Sequence, residues 1–168
     1  QFKGEKINFT GDYKTSKDKT CVNFEPVKCH TLVTEATFGL PVFQHPDEKK
    51  EINKLLHSLY LFPERPHLVG VYALGKAQRV ISLLRQQGYN KNIFIHGSLE
   101  KLCNYYQENN VNLGKLSKVS LINKNDYNGE IILAPPSAIK NIWSRKFEDP
   151  IISQASGWMS IKQSHKQS

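Results

Sequence analysis

The sequence is short of several things that would settle its function at once. Its 168 residues hold three cysteines, an odd number, with no CxxC pair, so Cys21, Cys29 and Cys103 do not form a disulfide framework. Reduced thiols in a cytoplasmic protein are the economical expectation. No stretch approaches the ~20 apolar residues of a membrane span, and the opening QFKGEKINF lacks the apolar core of a signal peptide. The six histidines include no HxH, HxxxH or HExxH pair, so spacing assembles no zinc site. There is no GxSxG around Ser137, Ser156 or Ser160, which removes support for a serine hydrolase. Neither GxGxxG nor GxxxxGK[ST] occurs, so no nucleotide-binding motif is present.

What remains is a chain of one-domain size, 39% hydrophobic and 10% aromatic, enough for an ordinary core. Its formal net charge is +8, and the basic residues are spread evenly, twelve in residues 1–84 and eleven in 85–168. A basic folded surface without a basic tail suits a polyanionic partner, most simply nucleic acid, although an inert solvated surface has the same composition.

The N-terminal part reads as β: EKINFTG is a strand that turns at Gly11, and CVNFEPVKCHTLVTE runs from a turn near Pro26 into a strand through Val33. Asp47 is a suitable N-cap for a helix reaching Phe62, closed by Pro63 and Pro66. Types then alternate: strand HLVGVYA, helix GKAQRVISLLRQQG, strand NIFIH, helix SLEKLCNYYQENN, strands KVSLI and GEIILA, short helix SAIKNIWSRKF, strands PIISQAS and GWMSIK. In the first of these helices Ala77, Val80, Ile81 and Leu84 share a face, and Gly88 supplies the stop. Runs such as IFI and IIL, apolar throughout, predict an α/β fold with a mostly parallel sheet and helices on both faces. Ligands of open α/β sheets sit at the carboxyl ends of the strands, where this chain places Ala73-Leu74-Gly75-Lys76, His96-Gly97-Ser98 and Ala134-Pro135-Pro136-Ser137.

The most informative polar residues are Asp12 in FTGDYK and Glu35 in TLVTEATFG. Each follows the end of a short apolar run, and two strand tips can bring carboxylates together across 23 positions. Two strand-end acids that merely cap turns would read the same way. The ALGKAQ turn offers an anion site through Gly75 and Lys76, or is a plain strand-to-helix turn. His96 can bind phosphate or simply occupy a turn. His30 is expected to pack or hydrogen-bond locally, and His45, His57, His67 and His165 are expected at the surface. Of the aromatic residues, Tyr105, Tyr106, Trp143 and Phe147 read mainly as core, and Trp158 in ASGWM as exposed.

Taken together and in order, GDYK, TEATFG, VYALGKAQR, LAPPSA and ASGWM resemble nucleases of the metallo-β-lactamase fold that carry a β-CASP insertion, closest to the bacterial DNA-ligase-associated exonucleases. The resemblance covers almost the whole chain. It implies an edge of the metallo-β-lactamase αββα domain over residues 1–40, a β-CASP domain over 41–156, and a return segment over 157–168. It implies that Asp12 is a metal ligand bridging two zinc ions and that Glu35 supports the catalytic centre. It implies that Lys14, Gly75, Lys76 and Trp158 contact substrate. Ala36 departs from the Ser or Thr expected there. The HxHxDH motif of such nucleases is expected before Gln1 and their late histidine motifs beyond Ser168, so the chain reads as a central piece, inactive and weak in zinc binding alone. His96 comes too early in the order to be one of those histidines. The implied activity is exonucleolytic hydrolysis of DNA in repair, with DNA ahead of RNA as substrate, DNA ligase and helicase as partners, no membrane, and a cytoplasmic location. A nucleic-acid-binding module without catalysis, and a nucleotide- or sugar-phosphate-binding domain built on Gly75 and Lys76, are the alternatives.

Overall fold

The computed structural model describes residues 4–119 and 127–158. Two sheets are present among them. β1 (Ile7–Phe9) and β2 (Thr31–Val33) pair in parallel, with Ile7 opposite Thr31 and Phe9 opposite Val33. The second sheet has five strands: β3 (His67–Gly70), β4 (Ile93–Ile95), β5 (Leu116–Lys118), β6 (Ile131–Ala134) and β7 (Ile151–Gln154). All its pairs are parallel and the order is β5-β4-β6-β3-β7.

The apolar strands bury both faces by strict alternation. Val69, Ile93, Ile95, Ile131 and Leu133 point to one core. Leu68, Phe94, Ile132 and Ala134 point to the other. The first face is covered by α1 (Glu48–Leu61), α2 (Lys76–Gln86) and α3 (Gly97–Glu108). The second is covered by α4 (Pro136–Ile139) and a 3₁₀ helix (Ile142–Lys146), whose neighbourhood contributes Ile139, Trp143 and Phe147. The α/β arrangement with helices on both faces is therefore as the periodicity indicated.

Local signals explain the helix limits. Asp47 Oδ1 accepts the backbone N–H groups of Lys49 and Lys50 at 2.8 and 3.1 Å, capping α1. In α2 the side chains of Ala77, Val80, Ile81 and Leu84 are buried as their spacing predicted, and Gly88 ends the turn at φ +85°. α3 begins one residue earlier than Ser98: His96 is its cap, with Nδ1 accepting from Ser98 N–H at 3.1 Å. β5 spans Leu116–Lys118, so Val119 of KVSLI lies past the strand and residues 120–122 lie outside the described residues, as do the GWMSIK strand beyond Trp158, Ser160 and His165. No helix of the described residues is long and apolar enough to cross a membrane.

One surface assignment is corrected. His67 is fully buried in β3, the strand flanked by both β6 and β7. Its Nε2 lies 2.9 Å from Ser58 Oγ on α1 and its Nδ1 3.0 Å from the Arg65 carbonyl, so both ring nitrogens have partners. Burial holds its pKa below the ordinary value.

Candidate nuclease edge

Parallel pairing of β1 and β2 puts both carboxyl ends on one side. Thr10 N–H continues the ladder to the Val33 carbonyl at 3.0 Å, and the chain then turns at Gly11, φ +58°. Asp12 and Glu35 follow on neighbouring loops. The loops are linked by Thr34 Oγ1, which donates to the Tyr13 hydroxyl at 3.3 Å. Asp12 is exposed. Glu35 accepts the Thr37 backbone N–H at 2.7 Å, and that bond holds its carboxyl below the usual range. Position 36 contributes only its backbone to this turn: the Ala36 carbonyl accepts from Gly39 N–H at 3.0 Å. Asp12 and Glu35 thus follow the carboxyl ends of two paired parallel strands.

Behind this edge lies an ion-pair cluster that sequence reasoning missed. Lys14 Nζ is 3.0 Å from Asp18 Oδ2 and 3.8 Å from Glu48 Oε1. Arg79 pairs with the same two carboxylates, at 3.3 Å to Asp18 Oδ2 and in direct contact with Glu48. Asp18 Oδ1 also accepts the Thr20 hydroxyl and N–H at 2.7 and 2.9 Å. Burial works against its charged form, but those two bonds and Lys14 outweigh it and lower the pKa. The four partners come from positions 14, 18, 48 and 79, a spacing no linear motif reveals. Lys14, expected at substrate, is thereby held by two acids.

Gly75 opens α2 at φ +74°, and a Cβ there would meet nothing within 4 Å, so backbone conformation rather than crowding favours glycine. Lys76 follows, half-buried. Burial and the Lys14 charge lower its pKa, opposed by Asp18, which places Lys76 in the field of the same cluster. Trp158 is 49% exposed and packs against Phe38 at a tilt and Phe43 edge-on, ring centroids 5.3 and 5.5 Å away. It therefore presents one side outward while the other packs beside the segment that follows Glu35.

The second carboxyl-end segment, His96-Gly97-Ser98, forms a separate group. His96 meets Trp143 edge-on at 4.9 Å, and the Lys146 ammonium lies 4.5 Å from the Trp143 ring. Because Nδ1 accepts from Ser98, the neutral ring carries its proton on Nε2. Burial, then the Lys146 charge, lowers the His96 pKa. His30, by contrast, is used structurally: its Nδ1 accepts Lys6 N–H at 2.9 Å, a bond between the residues that lead into β1 and β2 rather than a local one.

Among the described residues no group of three or more His, Cys, Asp or Glu side chains is placed to hold a metal ion. The one acid implied as a ligand, Asp12, and its supporting Glu35 do not meet the roughly four donors that each zinc requires. These residues alone do not fit a two-zinc centre.

A mostly parallel five-stranded sheet with helices is consistent with a fragment of a β-CASP metallo-β-lactamase nuclease, and the chain resembles nucleases of that class. It is similar to cleavage and polyadenylation specificity factor subunit 3 of Dictyostelium discoideum, 30% identical over 110 residues, 60% of this chain and 14% of that protein. It is similar to endoribonuclease YSH1 of Saccharomyces cerevisiae, 29% identical over 112 residues, again 60% of this chain and 14% of the relative. A probable DNA ligase of Opitutus terrae is 21% identical over 153 residues, 89% of this chain and 14% of that protein. The chain thus spans about one seventh of the length of these relatives. No family profile matches it.

Proposed function

We propose that this chain is part of a metal-dependent nuclease that hydrolyses phosphodiester bonds, contributing Asp12 as a metal ligand and Glu35 as the acid that supports the site. The observation that carries the reading is the parallel β1–β2 register, which delivers both acids to one edge. Zinc, two ions in the whole enzyme, would there supply an activated hydroxide and stabilise charge on the phosphoryl oxygens. The residues of this chain do the positioning: the Thr37 N–H fixes the Glu35 carboxylate in its charged form. Lys76, at the start of α2, adds positive charge beside the Lys14–Asp18 pair, and Trp158 offers an exposed ring face for a base.

The substrate reading that starts from the sequence is DNA, with exonucleolytic repair, a DNA ligase and a helicase as partners, and a cytoplasmic setting in which the thiols stay reduced. A second reading, RNA, is favoured by relatives at 29 and 32% identity that are named endoribonucleases. Both use the same edge.

The test has two parts. In the longer protein of which this reading makes the chain a segment, Asp12→Ala should abolish nuclease activity while leaving the thermal transition unchanged. Matched single-stranded DNA and RNA substrates distinguish the two readings by their products. The purified 168-residue chain should release no nucleotides. Release that Asp12→Ala abolishes would overturn the assignment of the missing ligands to other parts of the protein.

A further inference from the structure

Two clefts run end to end along the outer side of α2. One, of about 300 Å³, is lined by the 17–23 loop, Glu48, Arg79 and the Ser82–Gln86 turn of the helix. The other, of about 550 Å³, continues from Lys19, Ser82 and Gln86 past Arg85 to Asn110 and Asn112. Lys19, Ser82 and Gln86 line both, so the two form one groove.

The charge along this groove is not balanced. Asp18 and Glu48, its only acids, are matched by Lys14 and Arg79. Lys17 and Lys19 make no ion pair among the described residues, and Lys17 lines the first cleft while Lys19 lines both. Arg85 adds a third positive charge whose guanidinium bonds only carbonyls, those of Tyr89, Lys91, Leu113 and Lys115 at 2.6–2.9 Å. The remaining lining is the hydroxyl of Ser82, the amides of Asn23, Gln86, Asn110 and Asn112, and two aliphatic side chains, Leu83 and Val111, and it includes no aromatic ring. Such a surface recognises phosphates and lacks the platforms that stack bases. One end of the groove abuts the Asp18–Lys14 pair, and Lys14 is two residues from Asp12.

We infer that this groove holds the phosphodiester backbone of a single nucleic-acid strand, independent of sequence, along a path leading to the Asp12 edge. This inference rests on the nucleic-acid reading proposed above. Lys17 and Lys19 make the mobile phosphate contacts, and the Lys14–Asp18–Glu48–Arg79 cluster stiffens the wall that carries them. Deoxyribose and ribose backbones present the same phosphates, so the groove serves either.

The test uses the 168-residue chain with labelled oligothymidylate and oligouridylate, followed by fluorescence anisotropy between about 50 and 200 mM salt. Lys17→Gln with Lys19→Gln should weaken binding about tenfold and make the log–log salt dependence shallower by about 1.4, ~0.7 for each lost contact to a single strand. Lys140→Gln with Arg145→Gln, an equal charge change on the α4 side of the sheet, should leave affinity within about twofold. Circular dichroism confirms that both variants fold. If the parent chain binds and the groove variant binds equally well, or if both variants weaken it alike, the groove assignment is overturned and the nucleic-acid reading stands. If the parent chain binds neither oligonucleotide at low salt, the nucleic-acid reading fails and takes the groove with it.

Discussion

The two sheets of this chain are made of similar material and meet opposite fates. Ile-Asn-Phe and Thr-Leu-Val form one, and Ile-Phe-Ile, His-Leu-Val-Gly and Ile-Ile-Leu-Ala the middle of the other. In the five-stranded sheet Leu68, Ile131, Ile132 and Leu133 are fully buried. In the two-stranded sheet Phe9 is 73% exposed and Leu32 54%, and Thr20 is the only buried residue described before α1. Strand composition is therefore not what makes a core; the covering layer is. Helices lie over both faces of the larger sheet, whereas none of the described helices covers the smaller one. A bare parallel pair of three-residue strands is marginal in water and calls for a cover. On the proposed reading, the missing body of the lactamase half supplies it.

The strongest way to break this comparison is to empty the larger core. Leu133→Ala should cost about 2–5 kcal/mol in urea unfolding. A loss under about 1 kcal/mol would mean that the sheet is not the centre of stability. Arg85→Lys comes next, at about 2 kcal/mol, because an ammonium cannot span the four carbonyls that the planar guanidinium joins. A fall in the urea midpoint with an unchanged slope would show that this strap holds the end of α2 to the β4–β5 side.

His67 gives the comparison a pH signature. Its folded pKa lies below the unfolded value of about 6.5. The unfolded chain therefore binds the extra proton first, and stability is complete above 6.5 and declines as pH falls through it. His67→Gln should flatten that decline in thermal melts from pH 7 to 5. An identical pH dependence in the variant would remove His67 as its source. The smallest expected effect belongs to the smaller sheet. Leu32→Ala in this chain should shift stability by no more than about 0.5 kcal/mol. The same substitution in the longer protein should approach the cost of a core residue, and equal values in both contexts would refute the covered-sheet reading.

Much of the larger sheet was legible because its signals are local. Alternation in IIL and IFI, the Asp47 cap and the Ala77–Leu84 face all act within a few residues. The strand-tip positions of Asp12 and Glu35 were legible for the same reason, although only the parallel register aligns them. What stayed hidden depends on partners distant in sequence. A histidine opening an apolar strand reads alike whether it meets water or Ser58. The cluster of Lys14, Asp18, Glu48 and Arg79 joins three parts of the chain, and the carbonyls around Arg85 converge only after folding. The place of β6 between β4 and β3 likewise leaves no mark on β6 itself.

The aromatic contact at Trp158 carries one more consequence. Phe38 touches Trp158, and a methyl group at Gly157 would lie 2.9 Å from Phe38 and 3.1 Å from His45. The chain therefore departs on its long α/β excursion and comes back at one spot. Material can be added to or trimmed from such an excursion without displacing its anchorage. Evolution can remodel the excursion while the strand tips before Asp12 and Glu35 keep their place.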